Sequence, residues 1–355
     1  MKIVIYGAQS IALGTYLALT TLFQDIYVPF FLVNEKGINP DFLSGKPVKV
    51  MSDFSAIELC KKAKILICTP ENVMDEIEEK LDERGIYDHV RMTSSRFAEL
   101  LSYAYTKSGE FRPLSHYPVG MKKADINMYM AKFHKDKVLK GDVEIPDFIT
   151  PIQVGTMITD TRVAECVDSD GDNISARNGN YSELTALYWI WKNVLENECC
   201  NDYVGLVHYR RLLDLSDDDL MRLDSNDIDV VLPFPMPYEP NIESHHKRYL
   251  RDNDWKALIK AIEEIHPEDF GGMKDVLNQR YMCNYNILLA KKDVMKDYCA
   301  WLFPILFRVE ELSEPKGNER ADRYIGYMGE TLLNVYFMSR KNQFRIAYTG
   351  CKFCI

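Results

Sequence analysis

Residues 2–23 read KIVIYGAQSIALGTYLALTTLF. Positions 2–6 form a short apolar run of the kind buried on both faces of a sheet, and positions 7–10 form a turn. Ile11, Leu13, Leu17, Leu19 and Leu22 then recur at helical spacing. The alternation continues outward with a strand over 28–33, a helix over 55–62, a strand over 64–69, and a charged helix over 73–85 that stops at Gly85. Strands alternating with helices make parallel βαβ units, so a Rossmann-like domain is expected over 1–112. The Pro-, His- and Gly-rich stretch that follows reads as a boundary, with 113–123 as linker. A second α/β unit starts at Ile126 and fills 124–345. Its strands are expected over 203–208, 228–232 and 286–290, and its helices over 182–195, 255–265, 292–309 and 331–340.

Composition agrees with two folded domains. The chain has 355 residues, and a domain takes about 150. Hydrophobic residues make up 46% and charged residues 27%, enough to bury a core, which argues against a disordered chain. A formal charge of −10 argues against a general nucleic-acid binder, which needs a basic surface. No run of 18 apolar residues is present, so no membrane-spanning helix is expected. The first 33 residues lack a basic n-region and a cleavage site, so a signal peptide is not expected either. Nine scattered cysteines, an odd number, read as free thiols in a reducing cytoplasm. Cys351-x-x-Cys354 stands alone and reads as a tail.

Several segments carry chemistry. Gly7, Gln9 and Ser10 sit where a strand gives way to a helix, the place at which a nucleotide's phosphate would meet free N–H groups. The spacing is not G-x-G-x-x-G, and the other reading is a tight turn only. Residues 168–183 (DSDGDNISARNGNYSE) offer Asn173, Ser175, Asn178 and Tyr181 as hydrogen-bonding and stacking groups for a nucleoside. The DxDGD run lacks the acid at position twelve of a calcium loop. Ser182-Glu183 reads as an ordinary helix start, and Trp189 and Trp191 as core. In YVGLVHYRR (203–211) an apolar strand ends without a turn residue in His208, Tyr209, Arg210 and Arg211. Planar guanidiniums at a strand end suit a diphosphate. Glu330, between Gly329 and an apolar helix, is either a general base or a first-turn acid favoured by the helix dipole. Asn284 and Asn286 hold sugar hydroxyls or satisfy a turn. His134, His245 and His246 belong to no zinc pattern.

Taken together, ITPIQVG (149–155), 170–193, 203–211, 284–310 and 323–337 resemble bacterial capsular and exopolysaccharide biosynthesis glycosyltransferases. That family was long catalogued as a domain of unknown function, with some members assigned as galactosyl- or galactofuranosyltransferases. The resemblance covers about 124–340. It implies a GT-A-like nucleotide-diphospho-sugar fold and a UDP-sugar donor. It also implies Glu330 as the base of an inverting transfer and a capsular, exopolysaccharide or O-antigen glycan as acceptor. His208, Arg210 and Arg211 stand where many GT-A enzymes carry D-x-D, so fixed cations are expected to replace the metal, with no further cofactor. The protein is expected in the cytoplasm, with at most peripheral membrane contact. The rival expectations are a nucleotide-sugar-binding protein without turnover and an NAD(P)-dependent oxidoreductase resting on the Gly7 turn.

Overall fold

A computed structural model describes residues 2–139, 144–197, 200–317 and 322–354; Cys199 lies outside them. The first sheet comprises β1 (Ile3–Tyr6), β2 (Phe31–Val33), β3 (Phe42–Leu43), β4 (Lys46–Val50), β5 (Lys64–Ile67) and β6 (His89–Arg91), in the order β3-β4-β2-β1-β5-β6. Every pair except β3/β4 is parallel. Helices α1 (Ser10–Leu22), α2 (Phe54–Cys60), α3 (Met74–Glu83) and α4 (Ser94–Ser108) alternate with them, as parallel pairing requires. Pro29 has no N–H to donate, and β2 begins only at Phe31. Gly7 turns β1 into α1 at φ +122°, and a Cβ there would lie 2.5 Å from the Cys68 carbonyl oxygen, so only glycine fits.

The second sheet holds β7 (Ile126–Lys132), β8 (Ile149–Gln153), β9 (Cys166–Val167), β10 (Tyr203–His208), β11 (Arg211–Leu213) and β12 (Val230–Pro233). A two-stranded ribbon of β13 (Met236–Pro237) and β14 (Tyr281–Met282) stands apart, and β15 (Leu288–Lys291), β16 (Ile346–Thr349) and β17 (Cys351–Phe353) complete the set. The path runs β16-β12-β15-β10-β7-β8-β9, with β11 joining β10 to β17. Strand residues alternate between two cores. Val204, Leu206, Val230, Leu232, Leu288 and Ala290 face one, while Tyr203, Val207, Val231 and Leu289 face the other. The larger core is closed by α5 (Asn178–Tyr181), α6 (Leu184–Asn193), α9 (Asp252–Ile265), α10 (Phe270–Asn278), α11 (Lys292–Leu312) and α12 (Tyr324–Ser339). The smaller core is closed by α7 (Asp217–Ser225), while α8 (Ile242–His246) adds Ile242 to the larger one. No helix among the described residues is long and apolar enough to cross a membrane.

Three expectations change. The stretch 113–123 is not a loose linker: Leu114 and Tyr117 are buried in the second sheet's core, and Pro113 bridges Tyr348. Helix α4 contributes Phe97, Leu101, Ala104 and Tyr105 to the larger core, so it packs on both units. Residues 351–353 are not a tail, since they pair antiparallel with β11. The cysteines other than Cys199 carry free thiols.

The polar loop 168–183 folds around Asp168, which is fully buried. Its carboxylate accepts from the Gly155 and Thr156 backbone N–H groups and from the hydroxyls of Thr156, Ser175 and Thr185. Buried donors must be paired, and here one carboxylate pairs five groups from three segments. Asp168→Ala would leave those donors unsatisfied and is expected to cost about 3 kcal/mol or more, read as a lower urea midpoint with unchanged m-value.

Candidate active site

Every strand on the main path of the second sheet runs one way except β15, which is antiparallel to β10 and β12. The carboxyl ends of β7, β8, β10 and β12 therefore share one edge, the usual ligand edge of an open α/β sheet. Being reversed, β15 brings its leading turn, Asn284-Tyr285-Asn286, to that same edge.

This turn is strained. Tyr285 and Asn286 both have positive φ, 77° and 53°. For non-glycine residues that costs on the order of 1 kcal/mol or more each, and such strain clusters at functional sites. Asn334 pins the turn to α12, its side chain accepting from the Cys283 N–H at 2.8 Å and donating to the Cys283 carbonyl at 2.7 Å. One turn earlier on α12 stands Glu330, whose carboxyl feels the Tyr285 backbone N–H, which acts to lower its pKa. The Tyr285 backbone also acts on the His208 ring, tending to raise its pKa.

Glu330 thus lies inside α12 and not at its start, which overturns both the loop–helix placement and the dipole reading. The helix begins at Tyr324. Gly326 and Gly329 belong to it because α12 lies close against its neighbours. A Cβ at Gly329 would come within 2.7 Å of Leu184 Cδ1, and one at Gly326 within 3.2 Å of Ser182 Oγ. The Glu330 residue keeps some exposed surface, but burial of its carboxyl, reinforced by the neighbouring Glu183 charge, pushes its pKa up to about 7. Arg211 and Arg323 oppose that shift.

Glu183 is 7% exposed and is held by Asn286 Nδ2 at 2.7 Å. His208 Nε2 and an Arg323 guanidinium nitrogen each lie 3.7 Å from its carboxylate. Arg323 also donates to Ser182 Oγ at 2.7 Å, and Ser182 adopts φ 53° to turn the chain there. Burial lowers the His208 pKa, with Arg211 and Arg323 adding to the shift. His208 is therefore a neutral donor or acceptor, not the cation expected from the sequence.

The HYRR run is a tight turn. His208 pairs with Arg211 across the β10–β11 hairpin, which puts their side chains on one face. Arg211 lies 4.1 Å over the Tyr285 ring. Tyr209 and Arg210 occupy the tip, where Arg210 feels Asp136 and leans on the Tyr209 ring. The expected triple grip of His208, Arg210 and Arg211 therefore divides. Asn284 donates to the Tyr238 hydroxyl at 2.8 Å. Among the described residues, His208 Nε2, Arg211 Nε, Asn284 Oδ1 and Asn286 Oδ1 are buried at this edge without a hydrogen-bond partner. Glu183, His208 and Glu330 do not converge as a three-ligand metal cluster; that spacing occurs elsewhere, at His266, Glu268 and Asp269.

The residues expected to hold a nucleoside are spent inside the chain. Tyr181 is fully buried and bonds Glu310. Ser175 serves Asp168, and Asn178 donates to the Ser182 carbonyl and the Thr185 hydroxyl. Asn173 closes its own turn on the Ser169 and Gly171 carbonyls. In the first sheet, Gln9 donates to Asn39 and Ser10 reaches the Tyr238 phenol. His246 is locked between Thr331 and Met282. Sequence reasoning missed Glu183, Tyr285, Arg323 and Asn334. Glu183 was masked by its position at a helix start, and the other three by the absence of any local motif.

Residues 128–342 match the model of a domain of unknown function, DUF4422. No curated protein matches the sequence. Among solved structures, the apo form of WbbM, described as a bifunctional glycosyltransferase, is similar at 26% identity and a TM-score of 0.56. That likeness covers 65% of this chain and 45% of the other, so this chain spans less than half of WbbM. The mixed α/β architecture with a mostly parallel sheet agrees with a nucleotide-sugar transferase fold. With well over half of its length matched, the chain belongs to the DUF4422 family.

Proposed function

We propose that the protein is a glycosyltransferase that moves a sugar from a nucleotide-diphospho-sugar, a UDP-sugar such as a galactose or galactofuranose donor, to a growing capsular, exopolysaccharide or O-antigen glycan. The observation that carries this reading is the placement of the Glu330 carboxyl and the Arg211 guanidinium about the strained Tyr285 turn at the ligand edge of the sheet. The likeness to a glycosyltransferase structure supports it.

The donor lies across the carboxyl ends of β7 and β10. Arg211 takes the pyrophosphate, aided by Arg323, and the neutral His208 supplies one hydrogen bond. Charge growing on the leaving phosphate meets guanidiniums that need not reorganise. Arg210 and Tyr209, at the far side of the hairpin tip beside Asp136, meet the nucleoside half. Glu330 removes the proton from an acceptor hydroxyl as that oxygen attacks the anomeric carbon, with inversion. Glu183, between Arg323 and His208, holds the guanidinium and the imidazole in place and raises the Glu330 pKa. No metal or further cofactor enters this scheme. The reaction takes place in the cytoplasm, where activated sugars are made, with transient contact to a lipid-linked acceptor.

Glu330→Gln should lower kcat by about a hundred- to ten-thousandfold while UDP affinity, measured by calorimetry, stays near wild type. The kcat/KM profile of the wild type should rise with pH through about 7, because only the ionised carboxylate accepts the proton. Glu183→Gln removes a neighbouring negative charge and should move that limb to lower pH. Arg211→Ala should reduce transfer by tens- to several-hundredfold, corresponding to about 2–4 kcal/mol of transition-state stabilisation. Arg210→Ala should cost less, and mainly in donor KM. Activity abolished by EDTA and restored only by Mn²⁺ would remove the fixed-cation scheme.

A further inference from the structure

A line of aromatic rings runs from the site to the surface. Tyr238, bonded to Asn284 at 2.8 Å, stacks on His245 with centroids 3.7 Å apart and planes at 27°. His245 meets Tyr249 edge-on at 5.4 Å, and Tyr249 stacks on Tyr327 at 5.3 Å and 24°. Tyr327 lies one helical turn before Glu330 on α12, and residues three apart share a helix face. The line therefore leaves the site at Tyr238, surfaces at Tyr249 and returns through Tyr327 to the helix that carries Glu330.

Packing does not account for its outer part. Tyr249 is 54% exposed, and a large ring left half in water is available to a ligand. Two buried polar atoms along the line have no hydrogen-bond partner, Asn284 Oδ1 and His245 Nδ1. Burial, with Arg248 adding to it, depresses the His245 pKa to about 4, so at neutral pH the imidazole can donate or accept. Flat π faces next to isolated hydrogen-bonding atoms suit one ligand class. A sugar ring carries C–H bonds on its faces, which favour the negative π surface, and hydroxyls around its rim.

We propose that Tyr238, His245, Tyr249 and Tyr327 form the acceptor subsite, on which a sugar residue of the acceptor glycan stacks with its hydroxyl directed to Glu330. This rests on the transfer reading above. The donor occupies the β10–β11 side of Glu330 and the acceptor the α8 side, so the two halves of the reaction approach the carboxyl from opposite directions. Tyr249 and Tyr327 are positioning residues here, acting through ring contact and not through proton transfer.

The test is saturation-transfer NMR on the full chain with two kinds of probe. One is UDP, and the other is a panel of methyl glycosides of galactopyranose, galactofuranose, glucose, mannose, rhamnose and N-acetylglucosamine. At least one glycoside should bind the wild type. Tyr249→Ala and Tyr327→Ala should each weaken it by about three- to tenfold, Tyr249→Phe should restore it, and UDP affinity should stay constant throughout. UDP binding together with glycoside affinities unchanged by Tyr249→Ala, or with no glycoside bound at all, would overturn the acceptor subsite and leave the transfer reading standing. Failure of UDP itself to bind would overturn both.

Discussion

The strained peptide at Tyr285 is the constraint on which the site depends. The Tyr285 N–H and carbonyl, on successive peptide units, act on the Glu330 carboxyl and the His208 ring, so this turn relates the proposed base to the end of β10. Two consecutive positive-φ residues would relax if free. They are held because Asn334 clamps Cys283 from α12 and Asn286 is bonded to the buried Glu183. The strain is therefore offset by α12, the helix that also carries Glu330. Site and scaffold are the same contacts.

Electrostatics follow from that arrangement. Two carboxylates in one partly desolvated edge cannot both ionise at low cost, and Glu330 is the one whose pKa rises. Glu183 is compensated by Asn286, Arg323 and His208. Burial beside the Glu183 charge raises the Glu330 pKa to about 7, the property the proposed proton acceptor needs at neutral pH. Arg211 and Arg323 prevent Glu330 from rising further, and Arg211 Nε is buried there without a hydrogen-bond partner.

Much of the fold was legible in the sequence because it is written in local periodicity. The strands at β1, β5 and β10 and the helices α1, α6 and α11 follow runs of Ile, Val and Leu whose spacing admits one reading. The start of α12 was hidden because Gly326 and Gly329 look like loop residues until Leu184 and Ser182 are seen pressed against them. The pairing of Cys351–Phe353 with β11 depends on a partner far away in sequence, which no window reveals. Glu330, His208, Arg211, Asn284 and Asn286 do meet at one edge, whereas Ser175, Asn178 and Tyr181 were misplaced. Polar residues before an apolar helix serve a ligand or a buried carboxylate equally well by pattern, and only the burial of Asp168 decides between them. Glu183 and Arg323 needed the third dimension, because an acid beside a helix start and a basic residue before another have the sequence signature of ordinary caps.

The most direct measurement is a structure of the full chain soaked with UDP. The account places the pyrophosphate within hydrogen-bonding distance of Arg211, on the β10–β11 side of Glu330, with the β-phosphate facing that carboxyl. UDP seated instead at the Gly7 turn of the first sheet, or bound with Arg211 turned away from it, would contradict the account.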